Sequence, residues 1–229
     1  MRNIYLSFSE MTSSRSRNEV LKRVIDFSKI AKPEEFEIFS ADNVKPRLNF
    51  RSGQLVGFSV SHPRHSVIST ELIAVVENCD VGLDAEFWPI ESDDPSFLRT
   101  IASSADSGAI EVLSKSGRDA GVALWLIKEA ALKCSGNVDI DPQHLSITAL
   151  GNSTFRAAAN NEALLPQPEV KVYLYVLIDE KAPQSPLLIG VALNSMVDGV
   201  KELLKIFVIQ SKSWRLMSFE SFCINSVKE

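Results

Sequence analysis

Two short stretches of the sequence carry side chains whose types and spacing suit phosphate or metal chemistry. In "VGLDAEF" (81–87), Asp84 and Glu86 lie two residues apart in a segment that reads as extended chain, so both carboxylates project to the same side. Like charges at that spacing repel unless a cation or basic groups neutralise them. Hard oxygen donors in such a pair suit Mg²⁺, which takes one or two carboxylates together with waters and substrate phosphate oxygens. For a DxE pair taken alone, a solvated edge strand is the plainer reading.

The second stretch, "LWLIKEAALKCSG" (124–136), sets Glu129 and Lys133 four residues apart on one helix face. An ordinary surface ion pair is one reading. However, Val122, Leu124, Trp125, Ile127, Ala130, Ala131 and Leu132 cover much of the helix circumference, and a charged pair on a largely buried helix needs partners. Further basic or titratable residues gather in loops and at a helix start. His62 closes "FSVSHPRH" with Arg64 and His65 behind it, Lys45 and Arg47 flank Pro46, and Arg15 and Arg17 open a helical segment. Basic loops and helix N-termini are natural phosphate sites, although each residue alone also fits a solvated surface.

These residues are positioned by an alternation of strands and helices. Strands are expected over "NIYLSF" (3–8), "FEIFS" (36–40), "LVGFSVSH" (55–62) and within 66–87, where a turn at Asn78–Asp80 separates two of them. A helix is expected over 13–30, with an apolar stripe of Val20, Leu21, Val24, Ile25 and Phe27, and Pro33 marks its stop. Residues 41–54 read as a loop broken by Pro46 and Gly53. Beyond Pro89 come two short helices in 93–102 and 106–117, then a long helix over 118–136 ended by Gly136. Six short β segments follow, "HLSITAL", "STFRAAA", "VKVYLYVLI", "LLIGVALN", "LLKIFVIQ" and "WRLMSF". The expected class is α+β. Both halves share a plan of one helix joined to several antiparallel strands, with a seam near 80–90, which divides the chain into residues 1–81 and 82–229.

The composition narrows the function. The chain has 229 residues, 45% apolar and 23% charged, with a net charge of −5, so any phosphate ligand is held by local basic groups and not by a global basic field. Nucleic-acid binding is not expected. Cys79, Cys134 and Cys223 are odd in number and outside any CxxC pattern, which reads as buried apolar thiols in a reducing compartment. With no leader-like apolar core at the start and no run of about 18 apolar residues, a cytoplasmic protein without membrane association is expected. The chain contains no GxxxxGK[ST], no GxGxxG after a strand, no GxSxG and no HExxH.

Three blocks, in order, resemble the 4′-phosphopantetheinyl transferases of the long, single-chain, pseudo-dimeric type. "KPRLNF…VGFSVSHP" is similar to the family's GKP…FN[IL]SHS segment, "VGLDAEFWPI" to its (I/V)G(I/V)DxE segment, and "LWLIKEAALKCSG" to its W(T/S)xKEAxxKxxG segment. The third is the most specific, with Trp125, Lys128, Glu129, Ala130, Lys133 and Gly136 in place. The resemblance spans about residues 13–136, and past Gly136 "VDIDPQHLSI" alone is comparable. Pro63, Val44 and Phe87–Trp88 depart from the pattern.

The resemblance implies two similar α/β subdomains in a pseudo-twofold arrangement, each a helix packed on an antiparallel sheet, with the active site in the cleft between them. It implies Mg²⁺-dependent transfer of the 4′-phosphopantetheine arm of coenzyme A to a serine of an apo acyl or peptidyl carrier protein, releasing 3′,5′-ADP. Asp84, Glu86 and Glu129 would hold the metal, and Glu129 would act as base for the carrier serine. Lys133 would grip the phosphate; Ser61 and His62 would bind the 3′-phosphate, and Lys45 and Arg15 the adenosine-phosphate end. A family-fold protein that binds coenzyme A or a carrier domain without transfer is the alternative. Phe87, Trp88, Phe97 and Leu98 are candidates either for carrier contact or for the core. Two halves in one chain imply a monomer.

Overall fold

A computed structural model describes residues 3–10, 21–22, 24–26, 36–39, 47–50, 55–63, 70–77, 79–89, 94, 96–136, 140–159, 169–194, 205–209 and 214–226. Leu21, Val24 and Ile25 are helical and buried, as the apolar stripe of that segment requires. The described strands of the first sheet are β1 (Asn3–Glu10), β2 (Phe36–Phe39), β3 (Arg47–Phe50), β4 (Leu55–Ser61) and β5 (Thr70–Glu77). They are joined by β11 (Lys205–Ile209) in the order β11-β1-β5-β4-β3-β2. All its pairings are antiparallel except β1 with β11, which run parallel. A strand from late in the chain therefore completes the sheet that the first residues begin.

The second sheet is built from β6 (Val81–Phe87), β7 (Leu145–Ala149), β8 (Thr154–Ala159), β9 (Glu169–Asp179) and β10 (Leu187–Leu193), in the order β6-β10-β9-β8-β7. The strand β12 (Trp214–Ser218) pairs with the C-terminal half of β9. Among the described residues, four α-helices accompany it: α1 (Phe97–Ile101), α2 (Ser107–Ser114), α3 (Ala120–Ser135) and α4 (Phe219–Ser226). The class is α+β with antiparallel sheets, as the sequence leads one to expect.

Period-two alternation sorts the strand residues into layers. Ile73 and Val75 of β5 face Leu21, Val24 and Ile25, with Leu48, Phe50, Val56 and Phe58 around them. Their neighbours Leu72, Ala74 and Val76 face the opposite way and meet Val81, Leu83 and Ala85 of β6 and Leu187, Ile189, Val191 and Leu193 of β10. The other side of the second sheet packs under α3, which contributes Ala123, Leu124, Leu126, Ile127, Ala130, Ala131 and Leu132 to a third core. The described residues thus stack as helix, sheet, sheet, helix, with β6 at the middle of the stack and packed against β4 and β5.

Two elements differ from the reading of the sequence. The segment expected to be a loop over 41–54 contains β3, where Leu48 and Phe50 point inward on either side of exposed Asn49. Pro46 just before it is compatible with a strand start, where no ladder N–H is needed. The helix α4 follows "WRLMSF" directly, held by buried Phe219 and Phe222 and by Ser218, whose hydroxyl accepts the Ser221 N–H. No helix among the described residues is long and apolar enough to cross a membrane.

Candidate active site at the β6–α3 contact

The site begins with two glycines. Gly82 on β6 lies so close under α3 that an added Cβ would sit 1.9 Å from the Ala130 carbonyl oxygen and 2.4 Å from the Cys134 nitrogen. Gly190, opposite Asp84 in the β6–β10 register, would place a Cβ 2.5 Å from a Leu126 methyl. Without side chains at these positions, α3 settles onto the sheet at backbone distance. Asp84 and Glu86 share the Gly82 face of β6, so they emerge beside the helix, while Val81, Leu83 and Ala85 enter the inter-sheet core.

The helix α3 is fixed at both ends. The Asp119 carboxylate caps its start by accepting the N–H groups of Gly121 (2.7 Å) and Val122 (3.4 Å). Gly136, at φ +81°, ends it as the sequence indicates, with its N–H on the Leu132 carbonyl. Its rotation is fixed by Lys128, whose fully buried ammonium pairs with Asp106 Oδ2 at 2.7 Å and lies 2.8, 2.9 and 3.0 Å from the carbonyl oxygens of Ile101, Leu145 and Pro142, four acceptors that share its three N–H groups. Asp106, equally buried, also accepts the N–H groups of Ile147 and Ser103. Of the two lysines in "KEAALK", one is thus structural. The other, five residues on, faces β6.

Lys133 Nζ lies 2.5 Å from Asp84 Oδ1. The same oxygen accepts a hydrogen bond from Ser61 Oγ at 3.1 Å, and Ser61 Oγ in turn accepts the Ala85 N–H. Two residues back on β4, Ser59 Oγ accepts the Leu83 N–H. The edge of β6 that does not pair with β10 is therefore stitched to β4 by two serine hydroxyls, a pairing visible in sequence only as the alternation in "FSVS". Among the described residues, Asp84 Oδ2 accepts no hydrogen bond from another side chain, and Glu129 makes none at all.

The electrostatics of this group are those of a site short of positive charge. Burial pushes the Asp84 carboxyl above its ordinary value, against the attraction and hydrogen bond of Lys133 and the hydrogen bond of Ser61. Burial also raises Glu129, the charge on Asp84 raises it further, and Lys133 opposes both. Carboxylate oxygens are the donors that Mg²⁺ takes, and two carboxylates against one ammonium leave a net negative charge for it to balance. By the chemistry of its donors the group fits a divalent ion. In the ligand-free geometry, no cluster of three or more His, Cys, Asp or Glu side chains among the described residues is gathered to hold one.

The sequence-derived residues are distributed as follows. Ser61, Asp84, Glu129 and Lys133 come together. Glu86 is half-buried on the same face of β6, one pleat beyond Asp84. His62 follows Ser61 in the chain and therefore turns to the other side of the first sheet, where Nε2 lies 3.0 Å from the buried Glu71. It does not touch the Asp84 group. Arg15 and Lys45 lie outside the described residues, as do Arg17, Arg64 and His65.

Trp88 is a core residue. Its ring centroid is 5.4 Å from that of Phe219 and 5.7 Å from that of Phe222, its indole N–H donates to the Asp119 carbonyl, and Arg118 lies over it while donating to its carbonyl. Phe87 packs at the edge of the inter-sheet core, and Phe97 and Leu98 pack at the edge of the α3 core. A cavity of about 510 Å³ lies elsewhere, lined by Val112, Lys115, Phe219, Cys223 and Ile224 among others, and includes none of these site residues. Comparison with known proteins finds no family model that matches the chain and no curated protein that matches it significantly.

Proposed function

We propose that the protein is a Mg²⁺-dependent phosphopantetheinyl transferase that acts on coenzyme A and an apo acyl or peptidyl carrier protein. The observation that carries this reading is the meeting of Asp84, Glu129 and Lys133 at the β6–α3 contact. Residues 49 positions apart in sequence form one ion pair there, beside a second carboxylate that is raised in pKa and accepts no hydrogen bond among the described residues. It is supported by the stacking of two sheets, each backed by a helix. In our reading these are the two pseudo-twofold halves, with the site on the α3 face of the second and Ser61 reaching it from the first.

Asp84, Glu86 and Glu129 would supply oxygens to Mg²⁺, which would neutralise charge on the pyrophosphate of coenzyme A. Ser61 donates a hydrogen bond to Asp84 Oδ1 and so helps to orient that carboxylate. Glu129 is the candidate base for the carrier serine, directly or through a water. The serine oxygen forms a bond to the phosphorus bearing the pantetheine arm, and the bond from that phosphorus to the oxygen of 3′,5′-ADP breaks. Lys133 meets the charge that develops on the phosphate oxygens. His62 is half-exposed on the far face and would reach a phosphate only at the rim. We read the protein as a cytoplasmic monomer.

The test is incubation with coenzyme A, Mg²⁺ and a panel of apo carrier proteins, read by intact mass. The reading expects the phosphopantetheine increment on at least one carrier, lost with Asp84→Ala and Glu129→Gln. Coenzyme A binding without any increment would favour the non-catalytic alternative. Absence of both would refute the assignment.

A further inference from the structure

The Asp84–Lys133 contact raises a question that the transfer reaction alone does not. If Asp84 holds a cation and Lys133 holds a phosphate, the two should not hold one another. Yet the ammonium sits on the carboxylate at 2.5 Å, and among the described residues Asp84 is its sole polar partner. We propose that Lys133 is a resident counter-ion: it occupies Asp84 in the free protein and must leave before a divalent cation binds there. Metal loading and the release of the Lys133 ammonium toward a phosphate are then one exchange. This rests on the reading of Asp84 and Glu129 as a metal site.

Three observations support the exchange. First, the two partners of Asp84 Oδ1 differ in freedom. Ser61 is buried on β4 and anchored by the Ala85 N–H, whereas Lys133 has a four-carbon stem and a side chain 26% exposed, so it has a route to solvent. Second, Glu129 stands one helical turn before Lys133 on the same face, yet the ammonium is drawn to the more deeply buried Asp84. A carboxylate nearly stripped of water has the greater need of a cation. Third, the charges favour the exchange. Asp84, Glu86 and Glu129 against Lys133 leave two negative charges, which a divalent ion balances while one ammonium is freed, beside the cation, for an anionic substrate.

The consequence is competition, read without any catalytic turnover. Mn²⁺ serves as probe, and free Mn²⁺ is followed by electron paramagnetic resonance during titration of the wild-type chain, Lys133→Met, Lys133→Arg and Asp84→Asn. Methionine keeps the length and apolar stem but removes the charge. Lys133→Met should bind Mn²⁺ about tenfold more tightly than wild type, which corresponds to about 1.4 kcal/mol of removed competition. Lys133→Arg should stay within about twofold of wild type, because the resident charge remains. Coenzyme A should tighten Mn²⁺ binding to wild type far more than to Lys133→Met, since the displaced ammonium gains a phosphate. Equal or weaker Mn²⁺ binding by Lys133→Met, with binding still lost in Asp84→Asn, overturns the counter-ion proposal and leaves the metal site standing. Binding by neither wild type nor Lys133→Met, or binding that survives Asp84→Asn, overturns the metal-site reading itself.

Discussion

Replacing Gly82 by alanine tests whether close approach of α3 to β6 is what creates the site. The added methyl carbon would lie 1.9 Å from the Ala130 carbonyl oxygen, and ordinary contact begins at 3.4 Å. The obstacle is helix backbone, not the flexible end of a side chain, so α3 must lift by the missing 1.5 Å or the strand must bend away. Such overpacking costs about 1–3 kcal/mol. In a chain of this size that lowers the melting temperature by roughly 2–12 °C. The same displacement carries Lys133 from 2.5 Å to about 4 Å from Asp84, beyond hydrogen-bonding reach, and separates Glu129 from Asp84 similarly. Since Mg²⁺ and ions like it require oxygens at about 2.0–2.1 Å, Mn²⁺ affinity should fall by about tenfold or more. The control is Gly108→Ala at the exposed start of α2, where an added methyl meets nothing within 4 Å and should leave both quantities unchanged or slightly raise stability. Thermal melts and Mn²⁺ titration of both variants decide the matter. If Gly82→Ala melts within about 1 °C of wild type and binds Mn²⁺ equally, the account of the site is wrong.

Two further outcomes follow from the buried charges. Lys128→Met leaves the Asp106 carboxylate buried beside three carbonyls that have lost their donor, which should cost about 3–5 kcal/mol; a urea unfolding midpoint close to wild type would contradict the structural role given to this lysine. The raised carboxyls of Asp84 and Glu129 set the sign of a pH effect. Their folded forms retain protons that the unfolded chain, with ordinary values of 3.8 and 4.5, has already released. That contribution is greatest below the unfolded values and is lost as pH rises through the folded ones. Asp84→Asn keeps an oxygen for Ser61 but carries no charge, so its melting temperature should gain on wild type as pH rises from the unfolded value of 3.8 through the raised folded one; a constant difference across that rise would show that Asp84 is not destabilised by burial.

Much of the local structure is legible because local rules write it. The alternation of Val81, Leu83 and Ala85 with Gly82, Asp84 and Glu86 announces a strand with one apolar face. The long helix ends at Gly136, which is readable as its stop, whereas its start at the Asp119 cap is defined by the structure. β3 was hidden because four residues behind a proline offer only Leu48 and Phe50 as signal, and the sheet supplies the rest. α4 is hidden for a related reason. It is eight residues long, and its stability comes from Phe219 and Phe222 against Trp88, a partner 131 positions before Phe219.

The candidate site divides along the same line. The sequence by itself determined which residues could do the chemistry: spacings of two on a strand and four on a helix put Asp84 with Glu86, and Glu129 with Lys133, because backbone geometry alone sets those relations. It could not determine that these two pairs meet. That required Gly82 and Gly190 to lie beneath one helix and Lys128 to lock the rotation of that helix. Nor could it tell Lys128 from Lys133. The two stand five residues apart, about 140° around the helix at 100° per residue, and only the surface that each meets decides its role. One met three carbonyls and a buried carboxylate and became structure. The other met Asp84 at the edge of solvent and kept its freedom to move.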